Sequence, residues 1–166
     1  CKQTLRHGRT LLRLIGDALN GLVTEAFDLA HIHAFNERIR IDSQSIDDES
    51  LVAALEAIDA AREGESLSYF EYATLAGLYL FRESRVDVAL LEVGLGGEFD
   101  ATNVFKHPEL TIITPVSIDH QQYLGETLPE IAAAKAGIIK RGVPCVVGPQ
   151  QEAAMDVIEA KAARLG

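Results

Sequence analysis

The sequence predicts an α/β fold, a mostly parallel sheet flanked by helices. Three observations predict it. "VDVALLEVG" (86–94), "LTIITPVS" (110–117) and "VPCVVG" (143–148) are nearly continuous apolar runs. Runs apolar on both faces suit strands covered on both sides, as parallel strands are. Segments with helical apolar spacing precede or separate them, which is the alternation of an α/β domain.

The elements follow in chain order. "TLLRLIGDALNGL" (10–22) spaces Leu11, Leu14, Ile15, Ala18 and Leu19 as one helix face, with Thr10 as N-cap. "ERIRI" (37–41) alternates charged and apolar residues, the pattern of a half-buried strand. Asp47 to Arg62 reads as an amphipathic helix whose opening "DDES" puts acids where the helix dipole favours them. Ser68 to Ser84 reads as a mostly buried helix around "YFEYATLAGLYLF". The spacing predicts strands at about 86–93, 110–115 and 143–147. Between the last two lies a helix over 127–139, opened by a capping box with Thr127 at the N-cap and Glu130 at N3. A last helix, 153–165, has no strand after it, so the sheet is expected to be unfinished there.

Composition narrows the function. The chain has 166 residues, enough for one domain or a large part of one, and 48% are hydrophobic, enough for a core. A formal charge of −10 argues against nonspecific binding to nucleic acid or an anionic membrane, both of which need a basic face. No apolar run approaches the roughly 18 residues of a membrane span, and no signal peptide is visible. Cys1 and Cys145 are far apart, and Cys145 sits in an apolar run. A reducing cytoplasm is therefore the expected setting. The chain does not begin with Met, so residue 1 need not be a natural start.

In open α/β sheets, ligands bind beyond the carboxyl ends of the strands. Two such ends carry polar residues here. The first reads "LLEVGLGGEFDATN", with Glu92 inside the apolar run and Asp100 after a glycine-rich loop. The second reads "TPVSIDHQQYLG", with Asp119 and His120, and the helix after it brings Lys135. Burying Glu92 is costly unless its carboxylate is paired or bound to a cation. Glu92 and His120 could reach one metal, and Mg²⁺ with phosphate suits a site of few protein ligands completed by water. Each residue also has a plainer reading. Glu92 can be a salt-bridged strand end, "GLGG" a simple turn, His120 a surface or capping residue and Lys135 a solvated one. "HIH" (His31, His33) resembles a metal pair, but no Cys or third His stands near it.

"FNERIRI" (35–41), "SYFEYATLAGLYLF" (68–81), "DVALLEVGLGGEFDATNV" (87–104) and "DHQQYLGETLPEIAAAKAGIIKRGVPCVVGPQ" (119–150) carry a resemblance. From about His31 to the C-terminus the chain resembles folylpolyglutamate synthase and dihydrofolate synthase, the folate branch of the Mur-type ATP-dependent amide ligases. The resemblance implies a partial Mur-ligase central, P-loop-like ATP-binding domain over 1–166, incomplete at both ends. Residues 1–30 diverge and the C-terminal ligase domain is absent; an intact member is more than twice this length. It implies ATP and Mg²⁺ as cofactors, and dihydropteroate or folate and L-glutamate as the other partners. It also implies a monomer at full length, with no nucleic acid and no membrane. A pteroate or folate carboxylate is phosphorylated by ATP, and the glutamate amine then attacks the acyl phosphate.

By the same resemblance, Lys135 matches the lysine of the "KAGI" motif, carbamylated in many members. Glu92 and His120 match magnesium ligands. Ser68, Phe70 and Asp100 match positions that hold the pterin. Phe70 would pack on the ring and Asp100 would accept hydrogen bonds from its N–H groups; the plainer reading of Phe70 is a core aromatic.

The chain also departs from the family. A strand and the phosphate loop "GTNGKGS" open the family's domain; the nearest counterpart is "LRHGRT" (5–10), which leaves Gly8, Arg9 and Thr10 as a degenerate nucleotide-binding set. "LAH" (29–31) replaces "SPH", so Leu29 stands where a serine contributes to the metal site, and Glu98 stands where an arginine is common. Three readings stay open: a piece of a folate ligase, inactive alone; a non-catalytic remnant keeping a pterin-binding surface; or a Mur-type ligase of another substrate. "FNERIRI" and "YFEYAT" favour folate over the last.

Overall fold

The computed structural model describes the strand Thr24–Phe27 and residues 34–166. The helix expected over 10–22, Gly8, Arg9, Thr10, Leu29, His31 and His33 lie outside the described residues. The chain divides into two compact units after Glu92.

The first unit holds a mixed sheet in the order β3-β2-β1-β4. Its strands are β1 (Thr24–Phe27), β2 (Ile39–Ile41), β3 (Gln44–Ser45) and β4 (Val88–Leu91). β1 pairs with β4 in parallel, in the register Thr24↔Val88 to Phe27↔Leu91. β2 is antiparallel to both β1 and β3. This sheet therefore departs from the expected parallel pattern at its β2–β3 side. "ERIRI" also begins later as a strand than its alternation suggests, because Phe35–Arg38 forms a 3-10 turn. The β2–β3 hairpin turns on Asp42 and Ser43, both left-handed with φ 50° and 64°. Two such residues make the turn whose twist fits a hairpin. Asp-Ser is a much weaker signal for it than Asn-Gly, and the sequence reading missed β3 for that reason.

Two helices complete this unit. α1 (Asp48–Ala61) is capped by Asp47, whose side chain accepts from the Ser50 N–H at 2.7 Å. α2 (Tyr69–Glu83) starts at a full capping box of Ser68 and Glu71. Leu51, Ala54 and Ile58 from α1 meet Ala73, Ala76, Leu80 and Phe81 from α2 and Ile39 from β2 in one core. Ala73, Ala76 and Gly77 are among the buried residues of α2.

The second unit pairs β5 (Thr111–Ile113) with β6 (Cys145–Val147) in parallel, register Thr111↔Cys145 to Ile113↔Val147. Between them run a short helix α3 (Gln121–Leu124) and α4 (Leu128–Lys135), the latter tightening into a 3-10 turn over Ala136–Ile138. α5 (Glu152–Leu165) closes the chain. Ile113, Val116, Ile131, Ala132, Ala136, Ile139, Ala154 and Ile158 form its core. The alanine run of α4 is thereby explained on one side: Ala132 and Ala136 are buried, while Ala133 is exposed. Among the described residues, no helix is long and apolar enough to cross a membrane.

Candidate functional site

In the first unit, the candidate residues stand at the start of α2 and just past β4. The Ser68 N–H donates to Glu71 Oε2 at 2.7 Å, and the Glu71 N–H donates to Ser68 Oγ at 3.3 Å. The bonds from Ser68 hold the Glu71 carboxyl below its ordinary range. Ser68 is thus an N-cap in this structure, a role the sequence reading did not assign it. Phe70 is half-buried and packs against the unit's core, as its plainer reading expects. Its neighbour Tyr69 is exposed. It lines an open groove of about 670 Å³ with Phe35, Leu51, Leu55 and Tyr72, and makes an edge-to-face contact with Phe35 at 5.6 Å between centroids. Glu92, one residue past β4, is half-buried.

In the second unit, Asp100 organises the glycine-rich loop. Its Oδ2 accepts from the Leu95 N–H at 2.9 Å, and its Oδ1 accepts from the Thr102 N–H at 2.9 Å and the Thr102 hydroxyl at 2.6 Å. A carboxylate offers about four lone-pair sites, so this loop leaves Asp100 room for a further donor. Phe99 beside it is 96% exposed.

The same loop sits tightly on the end of α4. A Cβ added to Gly97 would come within 2.9 Å of both Ile138 Cγ2 and the Lys135 carbonyl oxygen. One added to Gly137 would overlap the Cβ and Cα of Glu98. Gly97 faces the Ala134 and Lys135 carbonyls and Gly137 faces Glu98, and the Glu98 N–H donates across the seam to the Ala134 carbonyl at 3.2 Å. "GLGG" therefore does more than turn the chain: it brings the Asp100 loop against the Lys135 segment. Glu98, at the family's arginine position, is exposed.

His120 is exposed and left-handed, at φ 51° and ψ 37°. Left-handed backbone costs a non-glycine residue about 1–2 kcal/mol, and part of the compensation is visible. Asp119 Oδ1 accepts from the His120 N–H at 2.8 Å, while the His120 ring Nε2 lies 3.8 Å from Asp119 Oδ2, beyond hydrogen-bond length. The turn that follows is fixed by Glu130. Its Oε2 accepts at 2.9 Å from the Glu126 N–H, the Thr127 N–H and the Thr127 hydroxyl. Bonds from Thr127 first, then from Glu126, hold the Glu130 carboxyl below its ordinary range. Lys135 is half-buried at the last position of α4.

The structure brings the Asp100 loop and the Lys135 backbone together within the second unit; Ser68, Phe70 and Glu92 belong to the first. Among the described residues, no three His, Cys, Asp or Glu side chains cluster as a metal site. The sequence reading passed over Thr102 and Asn103. "DATN" held the signal, since Asp followed two residues on by Thr is the pattern of a side chain closing its own turn.

No family model matches the chain. Among curated proteins it is 43% identical over 141 residues to a dihydrofolate synthase/folylpolyglutamate synthase of Haemophilus influenzae, covering 84% of this chain and 32% of the relative. It is 42% identical over 154 residues to the folylpolyglutamate synthase of Lacticaseibacillus casei, covering 89% and 36%. The solved FPGS–AMPPCP–folate complex superposes with a TM-score of 0.81 at 41% identity, over 88% of this chain and 37% of the other. A Yersinia pestis folylpolyglutamate synthase/dihydrofolate synthase, solved with AMPPNP and a Mn ion, superposes with a TM-score of 0.80 at 37% identity, over 88% and 35%. The fold is thus one shared with solved ligases. In the segment it spans, the chain belongs to the family of dihydrofolate and folylpolyglutamate synthases. It spans about a third of the length of the curated relatives it matches.

Proposed function

We propose that these residues are the pterin- and phosphate-facing part of an ATP-dependent ligase that adds L-glutamate to dihydropteroate or folate. The observation that carries this reading is the likeness to the FPGS complex with AMPPCP and folate. In the proposed reaction, a substrate carboxylate oxygen attacks the γ-phosphorus of ATP and ADP leaves. The glutamate nitrogen then attacks the acyl carbon, loses a proton and displaces phosphate. The domain assignment belongs to the same proposal: a Mur-type central domain over 1–166, divergent over 1–30. So do a monomeric full-length protein and a cytoplasmic setting, which the free thiol of Cys145 suits.

The residue roles follow the family resemblance. Asp100 accepts pterin N–H groups with the lone-pair capacity its own loop leaves over, and Phe70 and Ser68 border the ring. Gly8, Arg9 and Thr10 would face the nucleotide. By that resemblance Glu92, His120 and a carbamylated Lys135 would each be a ligand of Mg²⁺. One carboxylate, one imidazole and a carbamate fit an ion that keeps water and phosphate oxygens in its shell. Mg²⁺ would neutralise charge developing at the transferred phosphoryl group. The Mn ion in the Yersinia pestis relative supports a divalent metal. Manganese tests the assignment. Mn²⁺ added with ATP should broaden the resonances of Glu92, His120 and Lys135 together; broadening that misses any of the three removes that residue from the metal site.

A second reading rests on "LRHGRT", which replaces the phosphate loop of the family. It makes the chain a remnant that keeps a pterin surface without phosphoryl transfer.

A further inference from the structure

We infer that Asn103 is a positioning residue that locks the Asp100 loop to the Lys135 segment, so that the pterin and phosphate ends of the proposed site move as one piece. The inference rests on the proposed roles of Asp100 and Lys135.

One side-chain amide spans the seam. Asn103 Nδ2 donates to the Glu98 carbonyl at 3.2 Å and to the Gly137 carbonyl at 3.4 Å. Glu98 is on the loop and Gly137 is in the turn directly after Lys135. The Asn103 backbone is tied in as well, its N–H donating to the Asp100 carbonyl at 2.9 Å. Asn103 therefore reads Asp100 through its backbone and the end of α4 through its side chain. No residue type without a side-chain N–H donor can do this. Aspartate and leucine match its shape, but aspartate would set a carboxylate against two carbonyl oxygens, and leucine would leave both without this donor.

The arrangement gives Asn103 no chemistry of its own, since its amide is spent on carbonyls of the same unit. What it controls is spacing. The seam is narrow because Gly97 and Gly137 carry no side chains, and narrow seams slide unless pinned. The Glu98–Ala134 bond pins one point. Asn103 pins a second, which stops rotation about the first. A substrate ring placed by Asp100 then keeps a fixed offset from Lys135, as an in-line phosphoryl transfer requires.

The test uses the whole 166-residue chain, wild type against Asn103→Leu, with Asn103→Ser as the second variant should the first fail to fold. Amide hydrogen exchange is followed at Glu98, inside the seam, and at Gly148, which bonds to Ile113 in the unit's sheet. Losing the side-chain bonds should speed exchange at Glu98 roughly tenfold while leaving Gly148 unchanged. Equal acceleration at both sites would make Asn103 a general stabiliser, and no acceleration would remove the lock; either result overturns the inference. The second readout is dihydropteroate added to ¹³C-lysine-labelled chain. The ligand should shift the Leu95 and Thr102 amides in both proteins but the Lys135 side chain in wild type only. A Lys135 shift kept in full by the variant overturns the inference. If dihydropteroate shifts nothing in either protein, the pterin reading fails, and the exchange result still decides the lock.

Discussion

Substituting Gly137 by alanine should destabilise the second unit by about 1–3 kcal/mol, although alanine is the better residue for a helical turn. The added Cβ would coincide with Glu98, lying 2.7 Å even from its backbone nitrogen. Those are main-chain atoms, so no side-chain rotation relieves the overlap. The loop must lift, and lifting stretches the 3.2 Å Glu98–Ala134 bond and the 3.2 and 3.4 Å bonds from Asn103. Three bonds at about 1 kcal/mol each set the upper scale. Alanine returns up to about 1 kcal/mol through helix propensity and a less flexible unfolded chain. The assay is urea unfolding read at the Gly148 amide, which reports the second unit. Gly97→Ala should behave alike, its Cβ meeting the Lys135 and Ala134 carbonyls at 2.9 and 3.1 Å. Because either Cβ opens the same seam, the double variant should cost clearly less than the sum of the singles. Full additivity, or a Gly137→Ala chain as stable as wild type, would refute the close docking of loop on helix end.

Further predictions concern the turn, the core and turnover. The Glu130 carboxyl is held below its ordinary range, so the stability it contributes is present above that range and lost as pH falls through its folded value. Glu130→Gln should flatten that acid limb of an unfolding-against-pH curve, and a limb of unchanged slope would contradict it. Thr127→Ala removes the N-cap of α4 and should cost about 1 kcal/mol, read as a lower urea midpoint. Ile131→Ala, at a fully buried side chain, should cost about 2–5 kcal/mol by the same assay. Incubated alone with ATP, Mg²⁺, dihydropteroate and L-glutamate, these 166 residues should release neither ADP nor dihydrofolate. Turnover abolished by Lys135→Ala would contradict that.

What the sequence made legible was set by how local the signals are. The apolar runs placed β4, β5 and β6 within two or three residues, and the acidic opening "DDES" and the Thr127 capping box placed the helices they begin. β3 was missed because a two-residue strand has no periodicity and its Asp-Ser turn carries no glycine. The antiparallel β2 was seen as a strand, but its pairing is a long-range fact that alternation does not encode. At the candidate site, Asp100 and Lys135 were singled out through the motifs that carry them, and their roles are proposed. Ser68 carries a second role that its motif did not signal, the helix cap before "YFE". The seam between Gly97 and Gly137 depends on contact across some 40 residues of chain, and no spacing rule reaches that far. Asn103 escaped for the same reason: its two acceptors are five and 34 residues away.

The central claim is the proposed recognition of a pterin, with Asp100 and Phe70 each given a part in it by the family resemblance, and titration of the chain with dihydropteroate, followed by calorimetry, tests it most directly. The account predicts weak, saturable binding that is lost in Asp100→Ala and in Phe70→Ala, with both variants still folded by circular dichroism. Asp100→Ala also removes the bonds to Leu95 and Thr102, so Asp100→Asn, which can keep part of them, should retain the loop yet weaken the ligand. Binding that survives all three substitutions, or no binding by the wild-type chain, would contradict the account.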